Sequence, residues 1–297
     1  MIERMIAADG VELATEAFGD PAHPPLLLIM GQMASMLWWP DEFCRRLAGR
    51  GRYVIRYDNR DTGRSTTYEP GSPPYTIDDM AHDTVRVFDA YGIAAAHVAG
   101  MSFGGMIGQV AALAHPDRVV SLTAISTSPF GEDTSALPST SQEYLEHSER
   151  FAELDWTDRS QVIALMVEDA RQIAGTAHPF NAARATSLIE RDYDRAHNFA
   201  SVINHSMVEG GEAWRGRLPE LQAPLLVIHG TADPIFPIEH GEALADAVAG
   251  GSPLRLEGGG HELHEADWDE IIAAIVAHTA PRSSGVPAGS AANVSGG

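Results

Sequence analysis

Ten residues constrain this chain more than any others. His97-Val98-Ala99-Gly100-Met101-Ser102-Phe103-Gly104-Gly105-Met106 reads as a short apolar strand, a tight turn, and a helix running from Phe103 to about Ala114. Ser102 stands at the tip of the turn. A residue there takes strained backbone torsions, and only small residues two places before and after it leave room for the crossing chains. Gly105 lets the helix pack close to the sheet. The free N–H groups and positive dipole end of that helix suit a developing oxyanion beside Ser102. Gly-x-Ser-x-Gly alone is a weak pattern. The strand before it, the helix after it and the partners that follow in chain order give it weight.

The rest of the chain alternates strands and helices. Residues 5–18 form two short strands around the turn dipeptide Asp9-Gly10. Leu26 to Met30 is an unbroken apolar run, as in a strand buried on both faces. A helix over Asp41–Ala48 follows, then the strand Tyr53–Tyr57 and the loop Asp58 to Ser65. Thr76 to Gly92 is a helix, capped by Thr76 with Asp79 three places on and stopped by Gly92. Val119 to Ile125 is another buried strand. From about Ser128 to Arg215 strand-like runs vanish, and Leu154–Ile173 and Pro179–Val208 read as helices or pairs of helices. The strand pattern resumes at Leu225–Ile228, with a helix over His240–Val248, a last strand Leu254–Leu256 and a closing helix Asp267–Thr279. The fold class is α/β, a mostly parallel sheet flanked by helices with an all-helical lid inserted between core strands. The expected parts are a core over 1–127, a lid over 128–215, more core over 216–280 and a disordered tail over 281–297, which is almost uncharged and made of small residues.

Composition narrows the chemistry. The chain has 297 residues, 44% of them hydrophobic, enough for one large core. It carries 41 acidic and 20 basic residues, a net charge of −21, so nucleic acid and anionic membrane surfaces are not expected partners. All the basic residues are arginine, which excludes a Schiff-base lysine, a phosphate-binding loop lysine and a Ser–Lys dyad. The lone Cys44 lies in a helical pattern with Phe43 and Leu47 and reads as a buried thiol. No apolar run has signal-peptide or membrane-spanning character, so a soluble cytoplasmic protein is expected. No His-x-x-x-His or carboxylate cluster has ligand spacing, so neither metal nor cofactor is expected.

In a parallel sheet, ligands bind beyond the carboxyl ends of the strands. Ser102, the turn after Met30, Asp233 and His261 all follow predicted strands and collect at that edge. A serine hydroxyl needs a base, and the base needs an orienting acid. The acid candidate is Asp233, in the loop after Leu225–Ile228. The base candidate is His261, with Gly258, Gly259 and Gly260 before it to let its loop approach the site; His264 is its rival. The other histidines read as surface or helix-end residues. A carboxylate after Val119–Ile125 is the alternative acid. The backbone N–H groups of Gln32 and Phe103 are the candidate oxyanion donors. In the lid, Met166, Ile173, Phe180, Phe199, Ile203 and Met207 supply apolar surface, and Met166, Phe180, Phe199 and Met207 are the candidate pocket wall.

These stretches resemble the α/β-hydrolase-fold esterases, whose nucleophile elbow has the spelling Gly100-x-Ser102-x-Gly104 and whose triad runs Ser, Asp, His along the chain. Within them the chain resembles the aclacinomycin methylesterase group. The matching stretches are Met1 to about Phe130, notably Phe18-Gly19-Asp20-Pro21, Met30-Gly31, Trp39 to Phe43, Val54 to Asp58 and Thr62 to Thr66, and Pro224 to Thr279. The resemblance implies the α/β-hydrolase fold, Ser102, Asp233 and His261 as catalytic residues, and the amides of Gln32 and Phe103 as the oxyanion hole. It also implies a small-molecule carboxylic ester as substrate, methyl esters among the candidates. Lactonases, carbon–carbon hydrolases, acyltransferases and perhydrolases share this triad, and a ligand receptor on the same fold is the non-enzymatic alternative. Phe103 and Gln32 depart from the group's smaller residues, and the substrate and oligomeric state stay open.

Overall fold

The computed structural model describes residues 3–281. Eight strands form one sheet: β1 (Arg4–Ala8), β2 (Val11–Phe18), β3 (Pro25–Ile29), β4 (Tyr53–Tyr57), β5 (Ala96–Met101), β6 (Val119–Ile125), β7 (Leu225–Gly230) and β8 (Ser252–Leu256). Their order is β1-β2-β4-β3-β5-β6-β7-β8. The β1–β2 and β2–β4 pairs are antiparallel and all the others parallel. The expected mostly parallel sheet is therefore present. Most of the expected tail, residues 282–297, lies outside the described residues.

The apolar run of β3 is unbroken because both its faces are covered. Leu27 and Ile29 face a core filled from α2 (Ile77–Ala90), α3 (Phe103–Ala114) and α7 (Ile238–Ala247). Leu26 and Leu28 face the other core, filled by Phe43, Cys44 and Leu47 of α1 (Asp41–Gly49) and by Trp268, Ile271, Ile272 and Ile275 of α8 (Trp268–His278). Burial pushes the Cys44 thiol up to about 12, so it stays protonated and acts as a small apolar group. α2 begins with the expected capping box: Thr76 accepts from the Asp79 N–H, and the Asp79 carboxylate accepts from the Thr76 N–H at 2.9 Å.

Between β6 and β7 lies a helical layer: α4 (Gln142–Ser148), α5 (Arg159–Gln172), α6 (Ala182–Arg195) and a 3₁₀ segment Phe199–Met207. The sequence pattern suggested longer helices. α5 starts only at Arg159 because the Asp158 side chain caps the amides of Ser160 and Gln161. The chain leaves α6 after Arg195, where the His197 N–H donates to Gly63 O at 2.8 Å and draws the backbone onto the core. The layer has its own apolar cluster around Val162, Met166, Ile189, Phe199 and Val202, against which Met33 and Trp38 of the loop after β3 pack.

Polar groups fasten this layer to the sheet. Arg195 pairs with Glu3 and with fully buried Asp58 at 2.7 Å each. Buried Asp192 accepts from Trp38 Nε1 at 2.8 Å, with the Ser35 N–H at 3.5 Å. Burial pushes Asp192 up to about 6, with nearby Asp58 adding to the effect and the Ser35 and Trp38 hydrogen bonds opposing it. Among the described residues no helix is long and apolar enough to cross a membrane.

Two predictions follow from this packing. A methyl group on Gly104 would lie 2.6 Å from Met30 O and closer still to Ile29 O, whereas one on Gly49 meets nothing within 4 Å. Gly104→Ala should therefore destabilise the fold by about 1–3 kcal/mol or more, while Gly49→Ala should stabilise it by about 0.5–1 kcal/mol, both read as urea midpoints. For Asp192 the folded pKa lies above the ordinary 3.8, so the stability it lends is complete below about 3.8 and is lost as pH rises through about 6. Asp192→Asn should gain on the wild type by about 2–3 kcal/mol between pH 4 and pH 8; parallel stability curves for the two proteins would contradict it.

Candidate active site

The turn after β5 carries Ser102 at φ 54°, ψ −123°, a strained conformation for a non-glycine residue. Its backbone is pinned on both sides. The Ser102 N–H donates to Ile125 O at 2.8 Å, and its carbonyl accepts from Thr127 Oγ1 at 2.8 Å and from the Gly105 N–H at 2.8 Å. The crossing that holds this turn is backbone on backbone: a Cβ on Gly100 would sit 2.7 Å from Gly105 N. The loop after β3 reaches the same point, since a Cβ on Gly31 would lie 3.1 Å from Ser102 Cβ and 3.7 Å from its Oγ.

β7 delivers Asp233 and β8 delivers His261. Asp233 Oδ1 accepts from the N–H groups of Ile235 and Phe236, both at 2.9 Å. Its Oδ2 accepts from His261 Nδ1 at 2.7 Å. A carboxylate can only accept, so Nδ1 carries the proton, and in the neutral ring Nε2 keeps its lone pair free to take one. Burial by itself would raise Asp233. The positive form of His261 and the hydrogen bonds from His229 and His261 outweigh it and hold the carboxyl well below the usual range.

His261 is 5% exposed. Its N–H donates to Ile173 O at 2.8 Å, so the loop that carries it is bonded to the end of α5. The N–H groups of Thr176 and Ala177 donate to Gly258 O, and that of Gly175 to Glu262 Oε1. The glycines before His261 serve a different contact from the one the sequence suggested. Gly260 is pressed against Ile173, Ala174 and Gly175, and Gly258 against Ala177. Their missing side chains let the histidine loop meet the helical layer.

Among the described residues the amides of Gln32 and Phe103 have no hydrogen-bond partner. Met33, next to Gln32, has φ 61° and donates its N–H to His205 Nδ1 at 3.1 Å. His264 does not touch Asp233: its Nδ1 accepts from the Ala266 N–H, and its ring stacks on His178 with centroids 4.4 Å apart. The expectation that the other histidines lie at the surface or at helix ends fails for His229, which lies in β7; His147, His205 and His240 do lie in the end turns of helical segments, but all four are buried. Each survives burial because it finds polar neighbours. His229 Nε2–H, for example, donates to Phe236 O at 2.7 Å and lies 3.4 Å from Asp233 Oδ2, which fixes the Asp233 loop. Only its place at the end of β7, four residues before Asp233, marks it in the sequence.

Of the apolar residues expected along a pocket, Met166 and Phe199 are buried in the helical layer's own cluster, Phe180 is half-buried beneath Arg171, and Met207 stands at the surface, 46% exposed. His178, His264 and Asp267 are the described residues whose ligand atoms converge, within 4.8 Å of one another. They satisfy each other instead, with His178 Nε2–H donating to Asp267 at 2.8 Å.

An eight-stranded sheet with a strained serine after β5 and a histidine–carboxylate pair after its last two strands makes a candidate hydrolase site. The alpha/beta hydrolase fold family matches residues 24–267, and the chain belongs to it. It is 38% identical to the rhodomycin D methylesterase DauP of Streptomyces sp. (strain C5) and 37% identical to the rhodomycin D methylesterase DnrP of Streptomyces peucetius; each match covers 94% of this chain and 98% of the relative. The enol-lactonase from Burkholderia xenovorans LB400 has the same fold, with a TM-score of 0.72 and 22% identity over 93% of this chain and 99% of that one.

The glycine contact at the histidine loop is directly testable. A methyl on Gly175 would lie 2.7 Å from the carbonyl carbon of Gly259 and nearer still to Gly260 N. Gly175→Ala should push the loop of His261 aside, lower the melting temperature and, measured well below that temperature, lower kcat for p-nitrophenyl acetate about 10- to 100-fold. An unchanged kcat would show that the helical layer does not set the position of His261.

Proposed function

We propose that this protein hydrolyses carboxylic esters through an acyl-enzyme, with Ser102 as nucleophile, His261 as base and Asp233 as the acid that orients it. That the chain is a carboxylic ester hydrolase rests on its family and on two methylesterase relatives aligned over nearly its whole length. The observation that carries the residue roles is the 2.7 Å bond from His261 Nδ1 to Asp233, which leaves Nε2 as the only basic ring atom.

Ser102 Oγ attacks the ester carbonyl carbon while Nε2 takes its proton. The C–O π electrons move onto oxygen, and the amides of Gln32 and Phe103 bind the resulting oxyanion. The tetrahedral intermediate collapses, the alcohol leaves with the proton from His261, and the acyl group stays on Ser102. Water then attacks the acyl-enzyme by the same route and frees the acid. Asp233 keeps the ring in the Nδ1–H tautomer and stabilises its positive form.

The helical layer acts as the lid over this edge of the sheet, and the partly exposed apolar side chains of Phe180, Met33 and Trp38 favour an apolar ester. Methyl esters of bulky polycyclic acids are the first substrates to try, because the two full-length relatives are methylesterases.

Ser102→Ala should lose on the order of 10⁴-fold in kcat and escape labelling by a fluorophosphonate probe, seen by mass spectrometry. Asp233→Asn should fold normally and lose about 10⁴-fold in kcat, because the amide favours the wrong tautomer. A labelled, active Ser102→Ala would end this reading.

A further inference from the structure

One residue that lies in neither loop meets the neighbour of one candidate oxyanion donor, Met33 beside Gln32, and the side chain of the other, Phe103. His205, in the 3₁₀ segment of the helical layer, is 3% exposed. Its Nε2 lies 2.7 Å from Arg60 O, which can only accept, so Nε2 carries the proton. Its Nδ1 receives the Met33 N–H at 3.1 Å and is therefore bare. The two bonds specify one neutral tautomer. The same ring packs on Phe103, with centroids 5.8 Å apart and planes at 48°.

Each partner is itself immobilised. The Arg60 guanidinium grips Asp83 at 2.7 and 3.0 Å. The segment around His205 is bolted down by Asn204, which donates to Asp61 Oδ2 at 3.0 Å and accepts from the Gly71 N–H at 2.7 Å. Ser201 Oγ adds a bond to Asp61 O at 3.1 Å. Met33 has the opposite character: its φ of 61° is unfavourable for a methionine and relaxes unless something holds it. Its N–H belongs to the peptide that joins it to Gln32, so fixing that N–H fixes the plane next to the Gln32 donor.

We propose that His205 is a positioning residue for the oxyanion hole: the helical layer, through this one ring, holds the Gln32 amide in place by locking Met33 and braces the side chain of Phe103. The layer is then a working part of the catalytic site as well as its cover. The inference rests on the oxyanion assignment above.

Two substitutions separate holding Met33 from merely filling space. His205→Asn keeps an acceptor near the Nδ1 position and loses the reach to Arg60. His205→Gln keeps a donor toward Arg60 and loses the acceptor for Met33. With p-nitrophenyl acetate, His205→Gln should lose about 10- to 100-fold in kcat with KM within about threefold, and should bind a trifluoromethyl ketone analogue of the tetrahedral intermediate more weakly by the same factor. His205→Asn should keep kcat and analogue affinity within about threefold of wild type even where its melting temperature falls. The reverse order, equal losses in both, or wild-type kcat and analogue affinity in both would overturn the proposal. If one variant does not fold, the other decides: His205→Gln with unchanged kcat, or His205→Asn with a tenfold loss, overturns it. Ser102→Ala run alongside tells the two readings apart. An inactive Ser102→Ala beside an unimpaired His205→Gln leaves the esterase reading standing and removes only the role of His205.

Discussion

The site depends on how closely a helix can lie against a sheet. α3 crosses β5 at Gly100 and β3 at Gly104, and at both points backbone meets backbone with no room for a Cβ. That contact holds the chain at Ser102 in a conformation costing about 1–3 kcal/mol, which its hydrogen bond to Ile125 O and those from Thr127 and Gly105 maintain. The same closeness brings the loop after β3 against Ser102. The strained serine, the open end of α3 and the Gln32 loop are three results of one steric fact.

Around it the molecule keeps its charges paired in depth. Asp58, Asp61, Asp83 and Asp192 are all buried, and each is bound by arginine, backbone amides, or tyrosine, tryptophan and asparagine donors. Removing one partner from such a group leaves a buried charge uncompensated, which costs far more than an exposed pair contributes. Three of these four, Asp58, Asp61 and Asp192, tie the helical layer to the core. Together with the bond from the His261 N–H to Ile173 O and those from the N–H groups of Gly175, Thr176 and Ala177 to the histidine loop, they bind the layer to the core at several points.

That attachment changes how the site is organised. Asp233 and His261 come from successive strands and are aligned by their own loops, yet His261 also leans on α5 through Ile173. A carboxylate bonded to a histidine through Nδ1 and two amides with no hydrogen-bond partner among the described residues are the elements that the proposed acyl transfer uses. They stand on parts of the chain that a parallel sheet brings to one edge.

Much of this was legible in the sequence because it is local. Gly-x-Ser-x-Gly between an apolar strand and a helix declares its turn. The run Leu26–Met30 declares a strand covered on both sides, and Thr76 with Asp79 declares a helix start. Asp233 and His261 are legible because each follows a strand and the sheet is parallel, so their meeting is a consequence of topology. The helix ends in the inserted layer were misread because propensity gave way there to long-range bonds such as His197 to Gly63. The role of the glycines at 258–260 and the burial of His147, His205, His229 and His240 were not legible either. A histidine is polar in a sequence, and only packing shows whether a carbonyl such as Arg60 O waits for its proton. Local pattern determined where strands, turns and the candidate nucleophile fall; the tertiary structure alone decided which distant backbone each buried polar group would meet, because those partners lie far apart, 172 residues for Met33 and His205, and nothing in their spacing links them.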